Sequence, residues 1–408
     1  MIVRSAFKCL TCGQVHTVRI GIGLEEYQDH RFPCTACQEP LVIAVHLNFA
    51  KFAWRLEPLE NAERCAEIGG APIVNVDANF IVPKEQRHAD KVFPRLTQMH
   101  AMSRAAENAG RLGRQSPIGP LRERRPLRRP DFLGEWRVLK KAWSLRRNAH
   151  EKLSDRKVTD ASAVFYADDP LKTFDDWLWR FLRNLSPLAF LTRFEEAFAP
   201  IKQLLGTPEF ERFLKVYDAL SAERGTRNYD LLRAYFAAYS DYSQVLFLII
   251  HGLPIPAGDA ASTVNFDATR MFYGNAFEAF SSSVDILAYL NNMIEGRPFD
   301  TFQTMTRDNY LALDKANRCQ PFAANPAFAS LCGEFDNQLR NASHHGGFAF
   351  DGATQVIRYR TGRGGMGSEH MLHYVSYLDR STHLFLQAMT LLQVEIMLCH
   401  ATGRRVPV

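Results

Sequence analysis

Arg340, Asn341, His344 and His345 put a permanent cation, an amide and two titratable imidazoles within six consecutive positions. That set suits phosphodiester cleavage. RNA brings its own nucleophile, the 2′-hydroxyl, so a catalyst need only move protons and hold the charge that develops on phosphorus. In such a scheme His345 carries the proton and Arg340 holds the phosphorane through paired hydrogen bonds. Asn341 orients Arg340 or touches the phosphate, and His344, four residues from Arg340, assists. No catalytic metal is expected, and the products would be a 2′,3′-cyclic phosphate and a 5′-hydroxyl. The plainer alternative is structural: Arg340 pairs with Asp336 or Asp351, and the histidines sit at a helix C-terminus, where positive charge is favoured.

A second set of residues points to a metal. Cys9-Leu-Thr-Cys12 and Cys34-Thr-Ala-Cys37 are two CxxC pairs separated by twenty-one residues, the spacing of a four-thiolate zinc site. Gly13 gives the backbone room to curl round the ion, and the β-branched segments at residues 15–20 and 41–47 are expected to be strands flanking the two turns. Residues 5–48 thus resemble the zinc-ribbon class. With all four positions filled by protein, Cys9, Cys12, Cys34 and Cys37 are expected to hold a structural zinc. Disulfides or a redox CxxC are the competing readings. The other cysteines, Cys65, Cys319, Cys332 and Cys399, are isolated in sequence and expected to be small core residues.

The element that must carry the first set is a helix over residues 325–345. Asn325 can cap it, Pro326 fits its first turn, Phe328, Leu331, Phe335, Leu339 and Ala342 recur at helical spacing, and Gly346 and Gly347 stop it. At about 100° per residue, Arg340 and His345 lie about 140° apart, so one intact helix does not put them on one face. A helix end between them, or a second copy of the chain, would.

The run LRNASHHGG at the end of such a helix, in a helical C-terminal region, resembles the Arg-Asn-x-x-x-His signature of the HEPN superfamily of helical-bundle ribonucleases, with Arg340, Asn341 and His345 in the three positions. The resemblance spans about residues 260–402. It implies a metal-independent endoribonuclease acting on RNA, a homodimer formed through the C-terminal bundle, and a role as a toxin or antiviral defence effector under the control of an antitoxin or regulatory partner. The rival from another class is a non-catalytic, zinc-ribbon nucleic-acid-binding or regulatory protein.

The rest of the chain supplies the frame. With 408 residues and 46% apolar composition it can build two or three cores. Net charge is only +5, yet residues 101–157 hold sixteen Arg or Lys against six Asp or Glu, a field that suits nucleic acid or marks a solvated linker. Arg124, Arg125, Arg128 and Arg129 lie in its Gly- and Pro-broken centre and are the candidate RNA contacts. Trp136 and Trp143, seven apart, read as packing anchors.

Helices are expected over residues 207–225, 229–251, 267–295 and 371–400, with Glu278, Asp285 and Asn292 on a solvated face of the third. The expected fold class is mainly α: a zinc ribbon (1–50), a mixed α/β extension (51–100), a basic connector and helix (101–160), a helical middle domain (161–258) and a HEPN-like bundle (259–408). The N-terminus lacks a signal-peptide core and no apolar run is long enough to span a bilayer, so a soluble, cytoplasmic protein with no membrane partner is expected. Two weaker patterns remain. His344, His345, His370 and His373 could bind a metal, but no carboxylate accompanies them. Gly362, Gly364 and Gly367 match GxGxxG without a βαβ unit, which reads as a hairpin or loop.

Overall fold

A computed structural model describes residues 2–23, 25–91, 131–344, 347–362 and 366–408. Strands come first: β1 Ile2–Cys9, β2 Val15–Gly21, β3 Tyr27–Pro33, β4 Pro40–Asn48, β5 Ala53–Glu60, β6 Ala62–Cys65 and β7 Ile73–Asp77. Helices follow: α1 Phe132–Arg147, α2 Glu151–Phe165, α3 Phe174–Leu185, α4 Leu188–Ile201, α5 Pro208–Ala237, α6 Tyr239–Ile250, α7 Phe266–Ser281, α8 Asp285–Ile294, α9 Arg307–Ala312, α10 Pro326–Ala329 and α11 Asn337–His344. Three short strands, β8 Phe348–Asp351, β9 Val356–Arg360 and β10 Glu369–His373, precede the last helix, α12 Tyr374–Ala401. The chain is mainly helical with a small β portion at the N-terminus.

These elements form two compact units, neither of them a consecutive stretch. One gathers Met1–Asp131, Ala238–Thr269 and Gly347–Asp379; the other gathers Phe132–Ala237, Arg270–Gly346 and Arg380–Val408. The expected boundaries at 50, 100, 160 and 258 therefore do not coincide with those of the units.

In the first unit, the expected strands at 15–20 and 41–47 are β2 and β4. Two sheets, ordered β6-β1-β2-β7 and β3-β4-β5, put alternate side chains inward. Phe7, Val18, Ile20, Phe32, Ile43 and Val76 meet in one core that also contains Cys9 and Cys34. The segment after residue 50 completes the ribbon's own sheets, since β7 pairs in parallel with β2 through Val18 and Val74. Helix α6 and the segment after it are tied to this β portion: the Ser243 hydroxyl of α6 donates to the Ala78 carbonyl at 2.8 Å, and Ser262 Oγ beyond the helix donates to the Asp77 carbonyl at 2.6 Å. Strands β9 and β10 pair antiparallel from Arg360 and Glu369 on either side of the GxGxxG match, whose Gly364 lies outside the described residues.

In the second unit Trp136 and Trp143 are buried, as expected for anchors. Trp136 stacks on Phe236 at 5.2 Å, and Trp143 meets Tyr229 edge-on at 5.6 Å. The buried guanidinium of Arg224 forks onto Glu395 at 2.8 and 2.9 Å and reaches Asp285 at 2.9 Å. Helix α12 alone among the described residues is long and apolar enough to cross a membrane, and 83% of that window is buried inside the fold.

Several helix boundaries differ from expectation, for identifiable reasons. Gly225 does not end a helix; α5 continues through it to Ala237, and the missing side chain admits the chain's C-terminus, since a Cβ there would lie 2.5 Å from the Val408 nitrogen. The helix expected over 267–295 is two, α7 and α8. They part where Ser281 and Ser283 bond back to the Glu278 and Ala279 carbonyls and Arg224 takes the Ser283 carbonyl.

The face assigned to solvent is only partly solvated. Glu278 is ion-paired, Asp285 meets Arg224, and buried Asn292 donates to the Phe299 carbonyl at 2.9 Å. The last helix begins at Tyr374, three residues later than expected, because 369–373 is paired as strand β10. His370 and His373 consequently lie in that strand.

Candidate metal centre and Arg-Asn site

The two CxxC pairs close the ends of two hairpins. Cys9 ends β1 and Cys34 follows β3, and the backbone treats them alike. The Cys9 nitrogen donates to the Gln14 carbonyl at 2.8 Å, and the Gly13 nitrogen donates to the Cys9 carbonyl at 2.9 Å. In the second turn Cys34 donates to Glu39 at 2.8 Å and Gln38 to Cys34 at 3.1 Å. Each turn needs a left-handed residue after its second cysteine, supplied by Gly13 at φ 80° and by Gln38 at φ 64°.

All four sulfurs lie within 4.8 Å of one another. Cys9 and Cys37 are 3.8 Å apart and Cys12 and Cys34 are 3.6 Å apart, too long for disulfides and close to the edge, about 3.8 Å, of a tetrahedron with 2.3 Å metal–sulfur bonds. The donor set and its shape fit a four-thiolate metal ion. It is the only such cluster among the described residues; of the histidine set considered above, His344, His370 and His373 form none, and His345 lies outside the described residues.

Electrostatics set Cys9 and Cys37 apart. Burial pushes the Cys9 thiol up, but the backbone N–H groups of Cys12 and Thr11 and the neighbouring sulfurs bring it down to about 7. The Glu39 backbone would lower Cys37, yet burial and the three other thiols push it up to about 12. A cation must displace such protons, so its binding is coupled to pH.

Two further residues organise the centre, and spacing alone does not reveal them. Asn61 donates through Nδ2 to Cys9 Sγ at 3.6 Å and to the Pro40 carbonyl at 3.1 Å, while its Oδ1 accepts from the Thr11 nitrogen at 3.0 Å. It thereby ties both turns together. Buried His16 accepts at Nε2 from the Thr35 nitrogen at 3.1 Å, which makes it a neutral, Nδ1-protonated imidazole, and burial lowers its pKa.

The Arg-Asn pair stands on a shorter helix than the sequence suggests. Asn325 does cap, accepting from Ala327 at 3.1 Å, and Pro326 begins α10, but the run breaks at 333–336 and Asp336 caps a new helix, α11. Asp336 Oδ1 accepts from Gln338 and Leu339, both at 2.9 Å, while Oδ2 accepts from Arg380 at 2.9 Å. Arg380 also bonds Glu334 at 2.8 Å, and Tyr273 donates to Glu334 at 2.6 Å. The start of α11 is thus anchored by a polar network from α7, α12 and the intervening loop.

On α11, Arg340 Nη1 donates to Asn341 Oδ1 at 2.7 Å, and Nη2 donates to Glu278 of α7. Lys315 donates to the second oxygen of the same carboxylate. Burial alone would push the Glu278 carboxyl up, but the two cations hold it below its usual value. Arg340 therefore pairs with Glu278, not with Asp336 or Asp351. Its side chain is 24% exposed, and its guanidinium carbon lies 6.0 Å from the Phe277 ring centre.

His344 packs one turn along the same face, against Gly274; a Cβ there would fall 2.6 Å from His344 Nε2, which has no hydrogen-bond partner among the described residues. Arg340, Asn341 and His344 are brought together as adjacent groups on α11. His345, Arg124, Arg125, Arg128 and Arg129 lie outside the described residues. Glu278 and Lys315 belong to this cluster and were not legible as site residues. The sequence signal is a single acid in the polar stripe of Glu278, Asp285 and Asn292.

No protein-family model, no curated protein and no solved structure matches this chain, so the residues and their geometry alone carry its functional reading.

Proposed function

We propose that this chain is a metal-independent endoribonuclease of the HEPN type that cleaves RNA by attack of the 2′-hydroxyl. One observation carries the reading: Arg340, steadied by Asn341, already holds an oxyanion, the Glu278 carboxylate, together with Lys315. Two cations converging on two oxygens of one anionic group is the arrangement a phosphodiester requires. In the working enzyme a phosphate takes the place of Glu278, Arg340 holds its developing charge, and His345 moves the proton.

The four-cysteine centre holds zinc as a structural ion, and the arginines of residues 124–129 recruit RNA. Two copies of the chain complete the site, which resolves the angular separation of Arg340 and His345 along one helix. As a toxin or antiviral effector, such an enzyme would be restrained by an antitoxin or regulatory partner.

A specific observation also favours the second reading, a non-catalytic nucleic-acid-binding or regulatory protein: the Glu278 pair gives Arg340 a structural role. Purified zinc-loaded protein and its His345→Ala variant, incubated with total RNA, separate the two. The nuclease loses about 10²–10⁴ in rate on this change and leaves 2′,3′-cyclic phosphate ends. Equal, undiminished RNA integrity with both proteins would sink it.

A further inference from the structure

Cys319 and Cys332 stand thirteen positions apart in sequence, yet their sulfurs are 3.3 Å from each other. They belong to the second compact unit and are not metal-site cysteines. The expectation that they are isolated core residues is corrected here: they form a pair, and both are half-buried, not sealed.

The pair is held by structure. Cys319 precedes the turn Gln320–Phe322, and Cys332 closes the turn Ser330–Cys332. Between them Phe322, Phe328 and Leu331 are buried, and Asn325 Nδ2 donates to Asn291 Oδ1 at 2.9 Å. The sulfurs need to approach by only about 1.3 Å to reach bonding distance, within the reach of side-chain rotation.

We propose that Cys319 and Cys332 form a reversible intramolecular disulfide, made by a hydroperoxide and reopened by a dithiol reductant. Cys319 is assigned the first step, and Cys332, whose thiol is raised by its contact with Cys319 and by burial, the resolving one. The Cys319 sulfur displaces water from hydrogen peroxide and becomes a sulfenic acid. Cys332 then displaces that hydroxyl, and its own proton leaves with it as a second water. Two thiols and one peroxide give one disulfide and two waters; the sulfurs lose two electrons and the peroxide oxygens gain them.

The bond would clasp the segment that runs through Glu334 and Asp336 into α11, bracing the approach to Arg340. The proposal does not depend on the ribonuclease reading.

The sequence supplies a direct readout. Cleavage after Arg318 and Arg340 releases residues 319–340 as one tryptic peptide containing these two cysteines and no other. Full-length, metal-loaded protein is treated with hydrogen peroxide, quenched with N-ethylmaleimide, digested and weighed. The expected peptide is lighter by two hydrogens, carries no alkyl group, and becomes doubly alkylated after prior treatment with dithiothreitol. In Cys332→Ser, peroxide should leave a sulfenic acid on Cys319 that dimedone traps. A doubly alkylated wild-type peptide, or one over-oxidised at a single sulfur with no disulfide form, overturns the proposal.

Discussion

Arg340 and Glu278 are hydrogen-bonded across two helices although they stand 62 positions apart in sequence, and under the proposed function the carboxylate occupies the place of a substrate's phosphate. The contact is partly exposed, with side chains 24% and 26% accessible, so it is a weak lock, one that under the proposed function an RNA backbone would compete with. The acid that lends Arg340 a structural partner also masks it.

Glu278→Gln keeps the side chain's shape and removes its charge. RNA binding to the variant is expected to tighten by about tenfold, roughly 1.4 kcal/mol, with folding stability lower by no more than about 1 kcal/mol. Fluorescence anisotropy with a short single-stranded RNA reads the first quantity and urea unfolding the second. Arg340→Ala should abolish the gain when combined with it. Unchanged or weakened RNA binding by Glu278→Gln would show that the carboxylate does not guard the site.

The buried trio of Arg224, Glu395 and Asp285 makes a different prediction. Glu395 is 1% exposed and forks onto Arg224, so Glu395→Leu strands a buried cation with one remaining carboxylate. A loss of about 3–5 kcal/mol is expected in chemical denaturation. Arg224→Met combined with Glu395→Leu should be less damaging than Glu395→Leu alone, because no unpaired charge is left. Additive losses would mean the trio is not the coupled unit described.

For the cysteine centre, one tightly held metal ion per chain is expected, measured with a chromogenic indicator after thiol modification. Its removal by chelator should melt the β1–β7 portion, since binding energy on the order of 10 kcal/mol is linked to folding there. Asn61→Ala, which frees the Thr11 nitrogen and one Cys9 contact, should cost about 1 kcal/mol without releasing the ion. Identical thermal unfolding with and without chelator would remove the structural role.

Asp241 sets a pH dependence. Fully buried on α6 and near Asp29, with Arg31 offsetting only in part, its carboxyl is raised to about 8 by burial and then by Asp29. The folded chain therefore keeps a proton that the unfolded chain has lost above its ordinary value of 3.8. Stability falls as pH rises from about 4 to about 8, by up to about 1.4 kcal/mol per pH unit, and levels off above. Asp241→Asn should flatten that slope. An unchanged slope in equilibrium unfolding from pH 5 to 8 would show that Asp241 ionises freely in the fold.

The sequence by itself determined the parts whose cause is local. CxxC turns, the β-branched runs at 15–20 and 41–47, the Asn325–Pro326 helix start and the tryptophan anchors depend on residues a few positions apart, and each is found where spacing puts it. Helix ends were less legible. Gly225 looks like a terminator in one dimension but is a contact point for the C-terminus in three, and the break after Ser281 exists because arginines from α5 take the carbonyls there.

Only the tertiary structure decided the partners of charge. Glu278 and Asp285 read as solvated because a polar stripe on a helix usually is, yet distant arginines turn both into buried or half-buried pairs. Asn61 at the metal centre and the meeting of Cys319 with Cys332 follow the same rule. Periodicity records which face of an element is polar, whereas what that face meets is set by chain segments tens of residues away.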